Sequence, residues 1–461
     1  MKHLSDKKRH RVREHFYINS RCCAKLAAVA LTAGLTLAGG LIVQASDSTD
    51  CNNTNGIGII PNAEDYENIY GWYKDKENEA AEGGNIIVSG KYMNDYYRLN
   101  IYGGYSKLGN ASNNTVCYTG ETRNLYVYGG YSGGEGVTVS NNTVTFDSPY
   151  KEFVQGGGGY IYGSGVVENN HIYVTEHTEV NIVNGGMIGG PINRPMGDKF
   201  VKNNTATIWG VTNYAYGGRA SFDNSKGGKI TVTGNILDIK SSASVYHCAA
   251  GGYSESFGSD ADVRNNTVYV SSNSHVNDRL YGGYTAAGGT VSGNQIFIYE
   301  DGRDFGYHSD KLDIYAGYSN NKSGTVYDNT ITLHGKFSFV GNVNLYGSNQ
   351  SAEKTTGNTL VVDGWSGSFD SAQNFNLISF RNTKWAADSN VMNIEEGVSN
   401  ALEHTQVKLE NLVIDRNTVV NPGDSMTIIK SNVDTGLSMD NVESSAVFSQ
   451  GVAKLGRESS V

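Results

Sequence analysis

Much of the chain is a sequence of short runs in which apolar and polar residues alternate, such as Val137-Thr138-Val139 and Thr267-Val268-Tyr269. A period of two gives a strand with one buried and one open face. Asparagine and glycine punctuate these runs, and both tolerate the positive φ angles that corners between strands require. The pattern therefore predicts many short strands joined by tight turns.

The runs recur in two alternating phrases. The first is an aromatic strand entering paired glycines: Ile101-Tyr102-Gly103-Gly104-Tyr105-Ser106, then Val127-Tyr128-Gly129-Gly130-Tyr131-Ser132. It returns at Ala250-Gly251-Gly252-Tyr253-Ser254, Leu280-Tyr281-Gly282-Gly283-Tyr284 and Ile314-Tyr315-Ala316-Gly317-Tyr318-Ser319, with partial copies at Tyr216-Gly217-Gly218 and Leu345-Tyr346-Gly347-Ser348. The second phrase is an asparagine turn opening a β-branched strand. It begins at Asn113, Asn141, Asn169, Asn203 and Asn265 with a doubled Asn, and at Asn235, Asn294, Asn329 and Asn358 with one. Successive starts lie 28, 28, 34, 32, 30, 29, 35 and 29 residues apart, which makes nine units of about 30 residues.

One such unit cannot bury its own apolar face, but a stack of them can. Stacking places equivalent residues one above another at the strand spacing, about 4.8 Å. Asparagines then form a hydrogen-bonded ladder and tyrosines a ring stack. The predicted fold is all-β, a right-handed parallel β-helix of about nine repeats. A β-propeller is the alternative, although the units are short for four strands. Replacing Asn142 with Ala in such a ladder is expected to cost about 1 kcal/mol.

Composition agrees, with 58 Gly, 30 Tyr, 5 Pro and 18% charged residues. Charge divides the chain. Residues 1–45 carry eight Lys/Arg against two Asp/Glu, whereas the remainder carries 28 against 44, a net charge of −16. So acidic a body does not suit nucleic acid, whose phosphates need clustered cations. The basic stretch Lys7 to Lys25 followed by the apolar Leu26–Val43 reads as a signal peptide, with cleavage between Ala45 and Ser46. That reading implies passage through export machinery and no stable transmembrane domain in the mature chain. Cys22 and Cys23 precede the apolar run, and Cys51, Cys117 and Cys248 stand far apart, so no disulfide framework follows from their spacing.

The YGGYS…NNT pattern over residues 101–361, together with the long signal peptide, resembles the passenger regions of autotransporters. Asn421-Pro422-Gly423-Asp424-Ser425-Met426 resembles the stretch that often closes such a passenger. The resemblance implies a β-helix displayed outside the cell. The tail from Trp365 to Val461 is too short for the membrane barrel that autotransporters carry, so a passenger without its translocator is expected. The resulting division is a signal peptide at 1–45, an N-terminal capping region at 46–100, a repeat solenoid at 101–363 and C-terminal β coils at 364–461.

Chemistry is sparse in this pattern. Gly130-Tyr131-Ser132-Gly133-Gly134 spells a nucleophile elbow, but Ser132 holds a repeat position shared with Ser106, Ser254 and Ser319. Gly156 to Gly159 lacks the Lys-Ser/Thr that completes a phosphate loop. Asp260 and Asp262 read as a solvated loop, and His171 and His177 as structural or surface residues. The densest charge cluster, Asp301, Arg303, Asp304, Asp310, Lys311 and Asp313, lies in the longest insert and is the one place where a polysaccharide-degrading site would fit. No catalytic residue, metal ligand or cofactor is assigned. The reading favours adhesion or display, with host glycans, matrix proteins or neighbouring cells as partners; a purely structural spacer is the other choice.

Overall fold

In the computed structural model the described residues run from 68 to 452, except 76–78, 90, 93–97, 123, 150–152, 191–196, 222–226, 257–259, 300–303, 416–417, 422, 445–446 and 449–450. The targeting segment, with Ala45 and Ser46, lies outside them, as does Cys51. The described residues form a parallel β-solenoid of about 11 turns, not a propeller.

Each turn passes through three sheets. In one turn the chain follows Asn124–Ser132 on a long face, Val137–Ser140 on a second face and Thr143–Phe146 on a third. The three sheets hold 12, 9 and 13 strands, and every neighbour within them is parallel. Register follows the repeat: Tyr102 pairs with Tyr128, Tyr105 with Tyr131, and Val139 with Val167. Equivalent residues stack because a β-branched or aromatic side chain packs best against its own copy one strand away.

The described part of the expected cap already belongs to the stack, since Asn68 pairs with Asn100 and Tyr70 with Tyr102. At the other end, strands Leu377–Arg381, Gln406–Leu409 and Val442–Ser444 extend the third face, and Leu412–Val413 and Met426–Ser431 are further strands. Turns without an asparagine phrase therefore precede and follow the nine units read from the sequence.

The two repeat phrases turn out to be one device. The first Asn of each pair takes the left-handed conformation, at φ 58 in Asn113, 56 in Asn141 and 54 in Asn169. In single-Asn turns Gly234, Gly293, Gly357 or Asp328 does so instead. The next residue points inward and is fully buried: Asn114, Asn142, Asn170, Asn204, Asn235, Asn266, Asn294, Asn329 and Asn358. Each Nδ2 donates to the Oδ1 of the next, at 2.7 Å from Asn114 to Asn142 and 2.8 Å from Asn142 to Asn170, and each backbone N–H donates to that same Oδ1. Directly across the interior stands the second glycine of the aromatic phrase. A Cβ on Gly130 would come within 2.5 Å of Asn142 Nδ2, and one on Gly104 within 2.3 Å of Asn114 Nδ2. The interior is one asparagine thick at this waist, so the facing position admits no side chain.

Apolar columns fill the interior in two separate clusters. One contains Ile101, Val116, Val127, Val144 and Ile172, and the other Ala111, Val139, Ile161, Val167 and Val201. Toward the C-terminal end, aromatics replace the β-branched residues. Phe337, Phe339, Trp365 and Phe369 pack together, and Trp365 Nε1 donates to the Phe337 carbonyl at 3.0 Å.

Candidate functional site

The outer side of the long face carries the tyrosines. The tyrosines before and after the paired glycines lie on the same side of the strand, since their rings meet. Within a turn they meet edge to face: Tyr102 and Tyr105 at 5.2 Å and 75°, Tyr315 and Tyr318 at 5.0 Å and 88°. Between turns they stack face to face: Tyr105 on Tyr131 at 4.9 Å and 7°, Tyr253 on Tyr284 at 4.5 Å and 12°. Ring faces are thus spent on one another, and these columns offer a partner chiefly ring edges and hydroxyls. Burial pushes the phenols of Tyr102, Tyr131, Tyr281 and Tyr315 above their ordinary value, so they stay protonated and able to donate.

The columns are interrupted midway. Gly157, Asn184 and Ala250 replace tyrosine in the first column, and Met187 and Arg219 in the second. Arg219 forms a 2.6 Å ion pair with Glu255, lies over the Tyr216 ring at 5.1 Å, and is joined by the Ser221 hydroxyl, which donates to Glu255 at 2.8 Å. Cys248 is a buried free thiol whose pKa burial pushes up to about 12, so it is inert as a nucleophile at neutral pH. Cys117, in contrast, is disulfide-bonded, and its partner lies outside the described residues. Spacing alone did not announce that bond.

In the same interval the register breaks. Two residues, Tyr246 and His247, separate Val245 from Cys248, whereas one, Asn213, separates their partners Thr212 and Tyr214. The extra residue is a β-bulge, which leaves Tyr246 and His247 exposed, and Tyr246 retains 43% of its surface. Beneath it, Asp278 takes a left-handed φ of 61. A groove of about 600 Å³ opens there, lined by Asn213, Tyr246, His247, Asn277, Asp278 and Lys311.

The residues singled out from sequence fall as follows. Ser132 is fully buried, donates to the Gly109 carbonyl at 2.6 Å and accepts from Gly134 N–H at 3.2 Å, so it pins a corner. The four glycines at 156–159 sit in a strand, not a phosphate loop. A Cβ on Gly156 would strike the Phe146 ring, and one on Gly159 would meet Asn170. Asp262 pairs with Lys229 at 2.7 Å. His171, whose pKa burial lowers, heads a strand of the third face, while His177 is exposed in the turn that follows. Of the charge cluster, residues 301–303 and the Asp310 side chain lie outside the described set. Asp304 is exposed. Lys311 and Asp313 pair at 3.0 Å beside the groove, and Asp313 also accepts from Asn344 at 3.0 Å. Sequence reasoning missed Asn213, Tyr246, His247, Asn277 and Asp278. The one available signal was the loss of tyrosine before Gly251-Gly252, where the repeat reads Ala250.

Comparison with protein-family models, curated proteins and solved structures finds no match to this chain.

Proposed function

We propose that the chain is an exported, surface-displayed solenoid that acts in adhesion, similar to an autotransporter passenger, with the long face as its contact surface. The observation that carries this reading is the pair of tyrosine columns, which line one outer face over much of the stack. The rigid ladder beneath them holds many phenol hydroxyls at strand spacing, a layout for repeated weak contacts with an extended partner. The disulfide at Cys117 supports an oxidising compartment, as export requires. The basic-then-apolar segment ending at Ala45 supplies the address.

A protease added to intact producing cells tests display. The reading expects the solenoid to be degraded or released while a cytoplasmic marker stays whole. Full protection of the chain in intact cells, with degradation only after lysis, would refute it.

A further inference from the structure

The groove at the bulge differs in chemistry from the tyrosine columns around it. The stacked tyrosines hide their ring faces, whereas Tyr246 is exposed and makes no ring contact among the described residues. Two amides line the same hollow. Asn213 is anchored through its Nδ2, which donates to Asn181 Oδ1 at 2.7 Å. Asn277 is fixed through its backbone N–H, which donates to the Val245 carbonyl at 2.9 Å. Its side-chain Oδ1 is buried and accepts no hydrogen bond. That oxygen is closed off from solvent, so a ligand in the groove meets the open lining around it instead, the free edge of the Asn213 amide included.

The charges at the rim are already matched. Asp278 faces Arg279 at 3.5 Å, and Lys311 faces Asp313 at 3.0 Å. Among the described residues no unpaired cation lines the groove for a carboxylate or phosphate, and the body of the chain, at −16 over residues 46–461, repels polyanions. A neutral ligand with many hydroxyls and one apolar face satisfies all of these terms. The volume, about 600 Å³, holds a ligand of a few rings and is within the usual range for small-molecule sites.

We propose that this groove binds a neutral pyranose unit of a glycan, with the sugar's C–H face on the exposed Tyr246 ring. Asn213, His247 and Asp278 then accept from or donate to its hydroxyls. The proposal deepens the adhesion reading by naming a ligand class and rests on it only for its biological setting.

Saturation-transfer NMR on the purified protein tests it, with maltotriose and chitotriose as neutral probes and trigalacturonate as the acidic one. The expected result is transfer to ring protons of a neutral probe, and weak or no transfer to trigalacturonate. Tyr246→Ala and Asn213→Ala should each weaken that binding about tenfold. Tyr162→Ala, an exposed tyrosine elsewhere on the long face, should leave it unchanged. Tyr246→Trp, which keeps an aromatic face, should retain binding and guards against a folding defect in the Ala variant. Absence of binding to both neutral probes would overturn the proposal. So would preference for trigalacturonate, or binding that survives Tyr246→Ala and Asn213→Ala together. Because the assay uses purified protein, its failure is distinct from protection of the chain in intact cells, which would refute display alone.

Discussion

Replacing Asn142 with Ala removes one rung of the ladder, and the structure fixes what that costs. Asn142 Nδ2 donates to the Ala111 carbonyl at 3.1 Å and to Asn170 Oδ1 at 2.8 Å. Its Oδ1 accepts from Asn114 Nδ2 at 2.7 Å and from the Asn114 backbone N–H at 3.0 Å. The substitution leaves that buried N–H without a partner and strips Asn114 Nδ2 of one of its two acceptors, Ala81 being the other. An orphaned buried donor costs about 1–3 kcal/mol. The loss is therefore about 3 kcal/mol, well above the 1 kcal/mol expected of a single neutral hydrogen bond. The partner of this prediction is Gly130. Its Cβ would lie 2.5–2.8 Å from three side-chain atoms of Asn142, so Gly130→Ala alone should also destabilise, by about 1–3 kcal/mol. In an Asn142→Ala background those atoms are gone and the added methyl has room. The double variant should therefore be more stable than the sum of the two losses predicts. Denaturant unfolding followed by circular dichroism gives the cycle, and hydrogen exchange at the Asn114 amide gives the local loss even where a long array unfolds in parts. Additivity within about 0.5 kcal/mol would refute the asparagine–glycine contact.

Other outcomes follow from the same geometry. The buried phenols titrate above their unfolded value near 10, so the folded state holds more protons in alkaline solution and stability falls as pH rises past 10; tyrosinate absorbance should appear together with loss of the strand spectrum, and full titration of the tyrosines without unfolding would count against the buried columns. Excising residues 143–170 joins Asn142 to His171, which is the register partner of Thr143, and should preserve the fold while lowering attachment to cells in proportion to the lost face; complete loss of attachment in a folded protein would indicate one localised site. N-terminal sequencing of the exported chain should begin at Ser46, and retention of Leu26–Val43 would mean an anchored protein. Ser132→Ala should disturb only a corner, so an abolished activity in that variant would revive the nucleophile reading.

The stack was legible in the sequence because its determinants are local and repeated. Val-Thr-Val alternation, the Asn turns and the paired glycines each recur at a spacing that only stacking can satisfy. The relation between the two phrases was not legible. Nothing in the string shows that Asn142 faces Gly130 across the interior, because that contact depends on how the turns close in three dimensions. Within each doubled pair the two residues divide the work: Asn141 makes the corner, and Asn142 makes the ladder. Turns lacking the phrase, such as those containing Asn68–Lys74 or Leu377–Arg381, escaped the count because Gly84 stands where the first ladder asparagine would be and Asn376 breaks the pattern at the end. Asn376 accepts from the Asn358 N–H but turns its own Nδ2 to the Ala352 and Thr355 carbonyls. The groove was the least visible feature. A one-residue bulge changes which side chains point outward, yet in the sequence Tyr246-His247 looks like any aromatic pair. Lys311 and Asp313 were flagged for their charge; their place beside the groove follows only from the stacking of Asp313 on Arg279.

Parallel, in-register stacking underlies all of this, and paired cysteines on the second face test it most directly. Thr138 and Val166 are partners on adjacent turns, at the strand spacing of about 4.8 Å, within the range that a disulfide spans. A protein carrying Thr138→Cys and Val166→Cys should form an intramolecular bond on mild oxidation at low concentration. The shifted pair, Thr138→Cys with Glu168→Cys, should form it poorly, and Cys248 should stay reduced in both. Bonding of the shifted pair in preference to the direct one, or of neither in a folded protein, would contradict the register on which the ladder, the tyrosine columns and the groove depend.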